Sequence, residues 1–283
     1  MSTPAPTSES DHGGVRDEQL QSAFRQSVDD GQTRLGRSWP NLLATGFIGG
    51  IDIGIGVLAL LVVEAETGSR VLGALAFGIG FIALTLGRSE LFTENFLVPV
   101  AAVVAGRSTL RSLLRLWAGT AVANLLGGYV VASLIMGALP GLHETAVKAA
   151  RFYPELGIGW TSFSLAMVGG MVITVMTWME RGSESEFGRI VAALGAGFLL
   201  AATPLNHVIV VSLEMFAALQ VGAPFGYAAW AGVAAWAALG NLVGGLLLVT
   251  VLRLVQVGGG EISDQRRQAA KDTQSGSAGP RSR

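Results

Sequence analysis

One apolar stretch, Val71 to Ala105, is longer than a membrane needs and is interrupted by polar residues. As a single helix its 35 residues would reach about 52 Å, at about 1.5 Å per residue. A bilayer core is about 30 Å thick and takes about 20 residues to cross. The interruption, Gly87-Arg88-Ser89-Glu90-Leu91-Phe92-Thr93-Glu94-Asn95, falls where the middle of the membrane is expected. Backbone that leaves a helix at that depth must be buried in protein or line a watery cavity. The stretch therefore reads as a broken helix, with halves Val71–Leu86 and Phe96–Ala105 and a non-helical centre on a conduction path.

The rest of the chain agrees with a polytopic all-α membrane protein. Only 14% of residues are charged, against roughly 25% in soluble domains. The 39 glycines suit helices that approach closely in lipid. Cysteine is absent, which excludes disulfides, thiolate nucleophiles and Cys-ligated metals. No metal, cofactor or nucleic-acid partner is expected. Residues 1–36 show no signal peptide, because a short apolar region near the start is missing.

In order, residues 1–14 are expected to be disordered. The spacing of Val15, Leu20, Phe24, Val28 and Leu35 supports a helix on the membrane surface, with a solvated tail as the equal alternative. The spans expected are Leu42–Val63, the broken Val71–Ala105, Leu116–Ala138, Thr161–Met179, the run Arg189–Gln220 and Tyr227–Leu252. Leu139–Trp160 reads as a polar connection and Gly258–Arg283 as an unstructured tail. The fifth run is also too long for one crossing, and Pro204 within Ala202–His207 bends it. Six spans therefore follow, with helices 2 and 5 broken. Arginines flank one side (Arg25, Arg34, Arg37, Arg107, Arg111, Arg115, Arg181, Arg189, Arg253, Arg266, Arg267), whereas the other has Arg70, Lys148 and Arg151. That split places both termini in the cytoplasm, for a protein of the plasma (inner) membrane. The division expected is an N-terminal segment 1–37, a membrane domain 38–256 and a cytoplasmic tail 257–283.

An internal repeat supports this plan. Ala123-Asn124-Leu125-Leu126-Gly127-Gly128 and Gly240-Asn241-Leu242-Val243-Gly244-Gly245 each come one span after a broken helix. Halves of about 42–138 and 161–252, with three spans each, make an inverted duplication whose pathway lies at the repeat interface.

His207 is the one histidine inside an expected span, and its imidazole can exchange a proton at physiological pH. Thr93, in the other break, can donate to an anion or to His207, or simply cap the following half-helix. Leu91 and Phe92 form an apolar collar there, and Phe77 with Phe81 a second constriction or ordinary core packing. Arg88 is expected to pair with Glu90 or Glu94 and pin the loop, with Asn95 and Asn206 also structural at the breaks. Asn124 and Asn241 are expected to satisfy backbone groups freed there. Lys148 and Arg151 can draw anions to the outer mouth. Asp52 and Glu214 receive no role from sequence.

Gly87–Asn95 with Glu-Leu-Phe-Thr at its heart, the Pro-interrupted fifth helix with its His, and the two Asn-x-x-Gly-Gly helices together resemble the formate/nitrite transporter family. The resemblance spans Asn41–Leu252. It implies an aquaporin-like six-helix fold, a homopentamer with one pore per protomer, and passage of small weak-acid anions such as formate or nitrite together with protons. By position, Thr93 matches the Ω-loop threonine, His207 the central histidine, Leu91 and Phe92 the loop constriction, and Phe77 the preceding aromatic. Three positions depart from the pattern: Asn206 stands before the histidine, Gly169-Gly170 replaces an asparagine, and Pro154 falls where a vestibule lysine is expected. A neutral-solute channel is the alternative function. An intramembrane hydrolase using Ser89 and His207 is a more remote one.

Overall fold

In the computed structural model, which describes residues 9–277, every regular element is a helix. α1 (Glu9–Leu35) leads into α2 (Trp39–Thr67), α3 (Arg70–Gly87), a 3-10 turn (Thr93–Phe96) and α4 (Val98–Val104). α5 (Leu110–Ala138), α6 (His143–Leu156), α7 (Trp160–Gly182) and α8 (Glu186–Ala202) come next. α9 (Val208–Gln220), α10 (Tyr227–Leu242), a π-helical segment (Val243–Thr250), α11 (Val251–Val257) and α12 (Gly259–Ser277) complete the order. Among the described residues, five stretches are long and apolar enough to cross a membrane: α2, α3, α5, α7 and 227–257. Polar caps set several starts. Ser69, Thr109 and Ser185 accept an N–H from three residues on, at 3.3, 3.2 and 3.4 Å, supplying acceptors to first-turn donors.

Glycines set how closely the spans cross. A Cβ at Gly50 would overlap the Asn124 carbonyl, and one at Gly127 would overlap that of Phe47, so α2 and α5 meet backbone to backbone. The same pair of contacts recurs between α7 and the helix of residues 227–257, where Gly170 meets the Asn241 carbonyl and Gly244 that of Met167. Close backbone approach of this kind replaces the hydrophobic drive that lipid cannot supply.

The broken stretches differ from the expected picture in depth. α3 has 18 residues, about 27 Å of helix at 1.5 Å per residue, so it crosses most of a bilayer alone. The polar interruption begins where the expected half-helix Val71–Leu86 ends, but by length that point lies near the end of a crossing and not at the midplane. Arg88, in the left-handed conformation (φ 54°), ends the helix, and Arg88, Ser89 and Glu90 face a cavity together with α1 and the start of α8. The chain then turns back inward, and Leu91 and Thr93 are fully buried. α8 and α9 behave likewise at the opposite end. Arg70 donates to both the Ala201 carbonyl and Glu214, tying the end of α8 to α9. Thr203 and Pro204 line a cavity with Arg70, and Leu205, Asn206 and His207 turn into the interior.

Three surface segments are more ordered than their composition indicates. α1 places Phe24, Val28 and Leu35 against the bundle and Gly31 against the Val98 carbonyl, so its apolar face is covered by α4 and not by lipid. Residues 9–14, read as disordered, belong to α1, while residues 1–8 lie outside the described part. The expected polar connection 139–160 contains α6, whose Ala146, Ala150 and Tyr153 recur at helical spacing and bury against α9. The tail read as unstructured forms α12, held by Arg25–Glu261 (3.3 Å), Arg107–Asp272 (2.5 Å) and Arg266 Nε to the Val104 carbonyl (2.7 Å). Composition does not reveal these pairings, because their partners lie far along the chain. Residues 278–283 lie outside the described part.

The glycine crossings make a direct test. Gly50→Ala and Gly170→Ala should each lower the thermal unfolding midpoint in detergent, consistent with about 1–3 kcal/mol of overpacking. Gly195→Ala, which meets nothing within 4 Å, should leave the midpoint unchanged or raise it.

Candidate functional site

Two asparagines organise the breaks in matching ways. Asn124 on α5 accepts the Phe92 N–H (2.8 Å) and donates to the carbonyls of Gly46 (2.7 Å) and Glu90 (2.8 Å). Asn241 on α10 accepts the Val208 N–H (2.9 Å) and donates to the carbonyls of Ala166 (2.7 Å) and Asn206 (3.0 Å). Each side-chain amide thus ties a break to two spans and satisfies backbone groups that no helix can. The correspondence sets Glu90 opposite Asn206, Phe92 opposite Val208, and Leu91 opposite His207. Gly169 and Gly170 sit against this lattice. A Cβ at Gly169 would lie 3.5 Å from both the His207 backbone nitrogen and Asn241 Nδ2, and one at Gly170 would overlap the Asn241 carbonyl.

The two breaks meet at Thr93 and His207. Thr93 Oγ1 lies 2.7 Å from His207 Nε2, and both residues are fully buried. His207 is also the N-cap of α9, its Nδ1 accepting the Val210 N–H at 3.4 Å. A nitrogen that accepts a hydrogen bond carries no proton, so the neutral ring keeps its hydrogen on Nε2. Nε2–H then donates to Thr93 Oγ1, and the threonine hydroxyl hydrogen is left to point elsewhere. A charged imidazolium would have to give up the cap and would face the positive end of α9.

Apolar groups surround this pair. Leu91, Phe77 and Phe81 are buried in the central core, with the two phenyl rings 5.8 Å apart. Phe92 is half-buried and meets Phe96 edge-on at 5.0 Å. Ser89 donates to Asp52 Oδ2 at 2.5 Å while His207 bonds Thr93, so the Ser89–His207 couple that hydrolysis requires does not form.

A cavity lies beside each break, one lined by Glu90 and Glu94 and the other by Thr203 and Pro204. On the face carrying α1, one of about 450 Å³ reaches Glu90 and Glu94. Glu90 is held by Arg34 (3.0 Å) and Arg37 (2.5 Å), and not by Arg88, which has no ion pair among the described residues. Arg34 also donates to Asn95 Oδ1 at 3.0 Å, and Glu94 accepts the Leu91 N–H at 3.2 Å. α1 and the turn after it thus supply the cations that pin the loop, Arg34 and Arg37, and only a separation of 53 residues or more along the chain hid them. On the opposite face a cavity of about 330 Å³ is lined by Glu64, Arg70, Lys148, Tyr153 and Pro204. Arg70 there pairs with Glu64 (3.2 Å) and with the buried Glu214 (3.4 Å). Burial, and then the Glu214 charge, push the Tyr153 phenol above its ordinary value, so it stays protonated. Lys148 faces this cavity, whereas Arg151 pairs with Glu155 on the surface. Asn206 is buried, with its carbonyl on Asn241.

A helical bundle with paired re-entrant breaks, a cavity beside each, and a buried hydroxyl–imidazole couple where they meet is the arrangement of a membrane pore or carrier. The family model described as "Formate/nitrite transporter" matches residues 21–255, and the chain belongs to that family. It is an integral membrane protein. It is 25% identical over 241 residues to the uncharacterized transporter YrhG of Bacillus subtilis, covering 81% of this chain and 90% of that one. The formate channel BtFdhC of Bacillus thuringiensis is 26% identical over 177 residues, 58% of this chain and 67% of the relative. Among solved structures, an FNT family ion channel superposes with a TM-score of 0.73 at 15% identity, over 83% of this chain and 98% of that chain. A pentameric formate channel with formate bound gives 0.63 at 18%, over 77% and 96%.

Removing either asparagine strips one break of its anchors. Asn124→Leu and Asn241→Leu should each destabilise the protein by several kcal/mol, since each unsatisfied buried group costs about 1–3 kcal/mol. Loss of the folded peak in detergent size-exclusion chromatography, or a large drop in unfolding midpoint, is the expected reading.

Proposed function

We propose that the chain passes a small monovalent weak-acid anion, of the formate or nitrite kind, along a route through Thr93 and His207. The observation that carries this reading is the buried 2.7 Å contact between Thr93 Oγ1 and His207 Nε2 at the first turn of α9. With Nε2–H engaged on Oγ1, the threonine hydroxyl donates to an anion that the positive end of α9 also attracts. Leu91, Phe92, Phe77 and Phe81 strip the anion of water on its way. Moving a bare charge past them is costly. His207, once it has taken a proton on Nδ1 at the expense of its bond to the Val210 N–H, passes its Nε2 proton through the hydroxyl to the anion. The ring is left neutral, while the cargo becomes a neutral acid that crosses cheaply. The named formate channels among the relatives support the cargo class.

The same reading completes the architecture. α3 with α4, and α8 with α9, each count as one broken crossing, giving six in two inverted halves, with 38–256 as the membrane domain. The arginine-rich face of α1 and α12 lies in the cytoplasm of the plasma membrane. Five copies assemble, in keeping with the pentameric channel of similar fold.

In proteoliposomes, His207→Phe should abolish the pH dependence of formate uptake. Thr93→Val, which removes a hydrogen bond to a charged cargo, should slow uptake by about tenfold to a hundredfold. Uptake by His207→Phe that still responds fully to pH would end the proton-transfer proposal. Passage that ignores both pH and competing formate would indicate a neutral solute.

A further inference from the structure

We infer that the cavity on the α1 face contains an anion-binding site of its own, formed by the guanidinium groups of Arg88 and Arg189. Its ligands are oxyanions presenting two coplanar oxygens. The inference rests on the transport reading only in making that ligand the cargo.

Five arginines face this cavity against four carboxylates, Asp30, Glu90, Glu94 and Glu180. Arg34 and Arg37 hold Glu90, and Arg181 holds Asp30. Glu94 accepts the Leu91 N–H at 3.2 Å, and Glu180 accepts the Thr85 hydroxyl at 2.8 Å. Every carboxylate therefore has a donor. Arg88 and Arg189 alone among the five have no side-chain hydrogen bond or ion pair among the described residues. Arg189 Nε is buried without a partner, as is Arg181 Nε, although the Arg189 charge is felt at Glu180. Buried guanidinium hydrogens are rarely left unmatched.

The backbone adds an independent observation. Arg88 is the one non-glycine residue at positive φ among those described. Its place at the end of α3 is one that glycine ordinarily takes at no steric cost. A side chain stands there in spite of the strain, and it lines the cavity. Strained positions of this kind cluster where ligands are held. A guanidinium fork matches two oxygens of a carboxylate or nitrite at once, whereas a spherical halide offers no second acceptor. Arg88 lies five residues before Thr93, so an anion caught here waits at the entrance to the central pair. Its loss should raise the concentration of cargo needed for half-maximal flux and leave the maximal rate nearly intact.

The test is formate-dependent thermal stabilisation of the full chain in detergent, with sodium formate replacing sodium chloride at constant ionic strength. Phosphate and nitrite serve as further arms. Formate and nitrite should raise the unfolding midpoint of the parent protein. Arg88→Gly, which relieves the strained turn, should unfold no earlier than the parent in chloride yet respond to formate at least about tenfold more weakly. Arg189→Gln should weaken the response similarly, and Arg88→Lys should keep attraction for anions but lose the preference for formate over chloride. In proteoliposomes Arg88→Gly should raise the half-saturating formate concentration from that face. An unchanged formate response in both Arg88→Gly and Arg189→Gln, or equal stabilisation by chloride, overturns the inference, and so does a preference for phosphate over formate. Loss of the response in His207→Phe with both arginines intact would place the binding at the centre and also overturn it. A response that survives His207→Phe while uptake proves independent of pH would remove the proton-transfer reading and leave the site standing.

Discussion

Backbone that leaves a helix inside a bilayer has no water to bond, and the structure depends on meeting that demand twice with one device. Asn124 and Asn241 each accept one N–H from a break and donate to two carbonyls, one in the break and one on a neighbouring span. Glycines at 50 and 170 bring the asparagine-bearing helices close enough for those bonds to form. The asparagine amides do this without charge, and the first break is held in addition by the pairs of Glu90 with Arg34 and Arg37.

Much of the site was legible because it is written in polar residues where apolar ones are the rule. The interruptions at Gly87–Asn95 and Ala202–His207 stand out against their runs, and the Asn-x-x-Gly-Gly motifs follow each by one span. These signals led to Thr93 and His207, which the fold brings into contact. What sequence concealed depends on distance along the chain. Glu90 draws its partners from the end of α1 and the turn after it, and Glu214 from Arg70 at a separation of 144 residues. Asp52 is explained by Ser89. No periodicity records such pairs.

Depth was the other quantity hidden. Counting residues across Val71–Ala105 puts the polar loop at the midplane, because a chain that progresses steadily must be halfway there. α3 instead runs nearly the full crossing and the chain doubles back, so Arg88–Glu90 belong to a vestibule while Leu91–Thr93 return to the interior. α6 and α12 were missed for a related reason. Both are polar overall and bury only narrow stripes, so composition records their exposed majority.

The matched bonding of the two asparagines sets Leu91 and His207 at corresponding stations in halves that face opposite ways. One copy keeps a greasy aliphatic there and the other an ionisable ring. A scaffold that is nearly its own mirror under rotation thereby acquires a front and a back. On the transport reading proposed above, the two mouths are therefore not equivalent. The same lattice sets Glu90 against Asn206 and Phe92 against Val208, so three stations tell the halves apart.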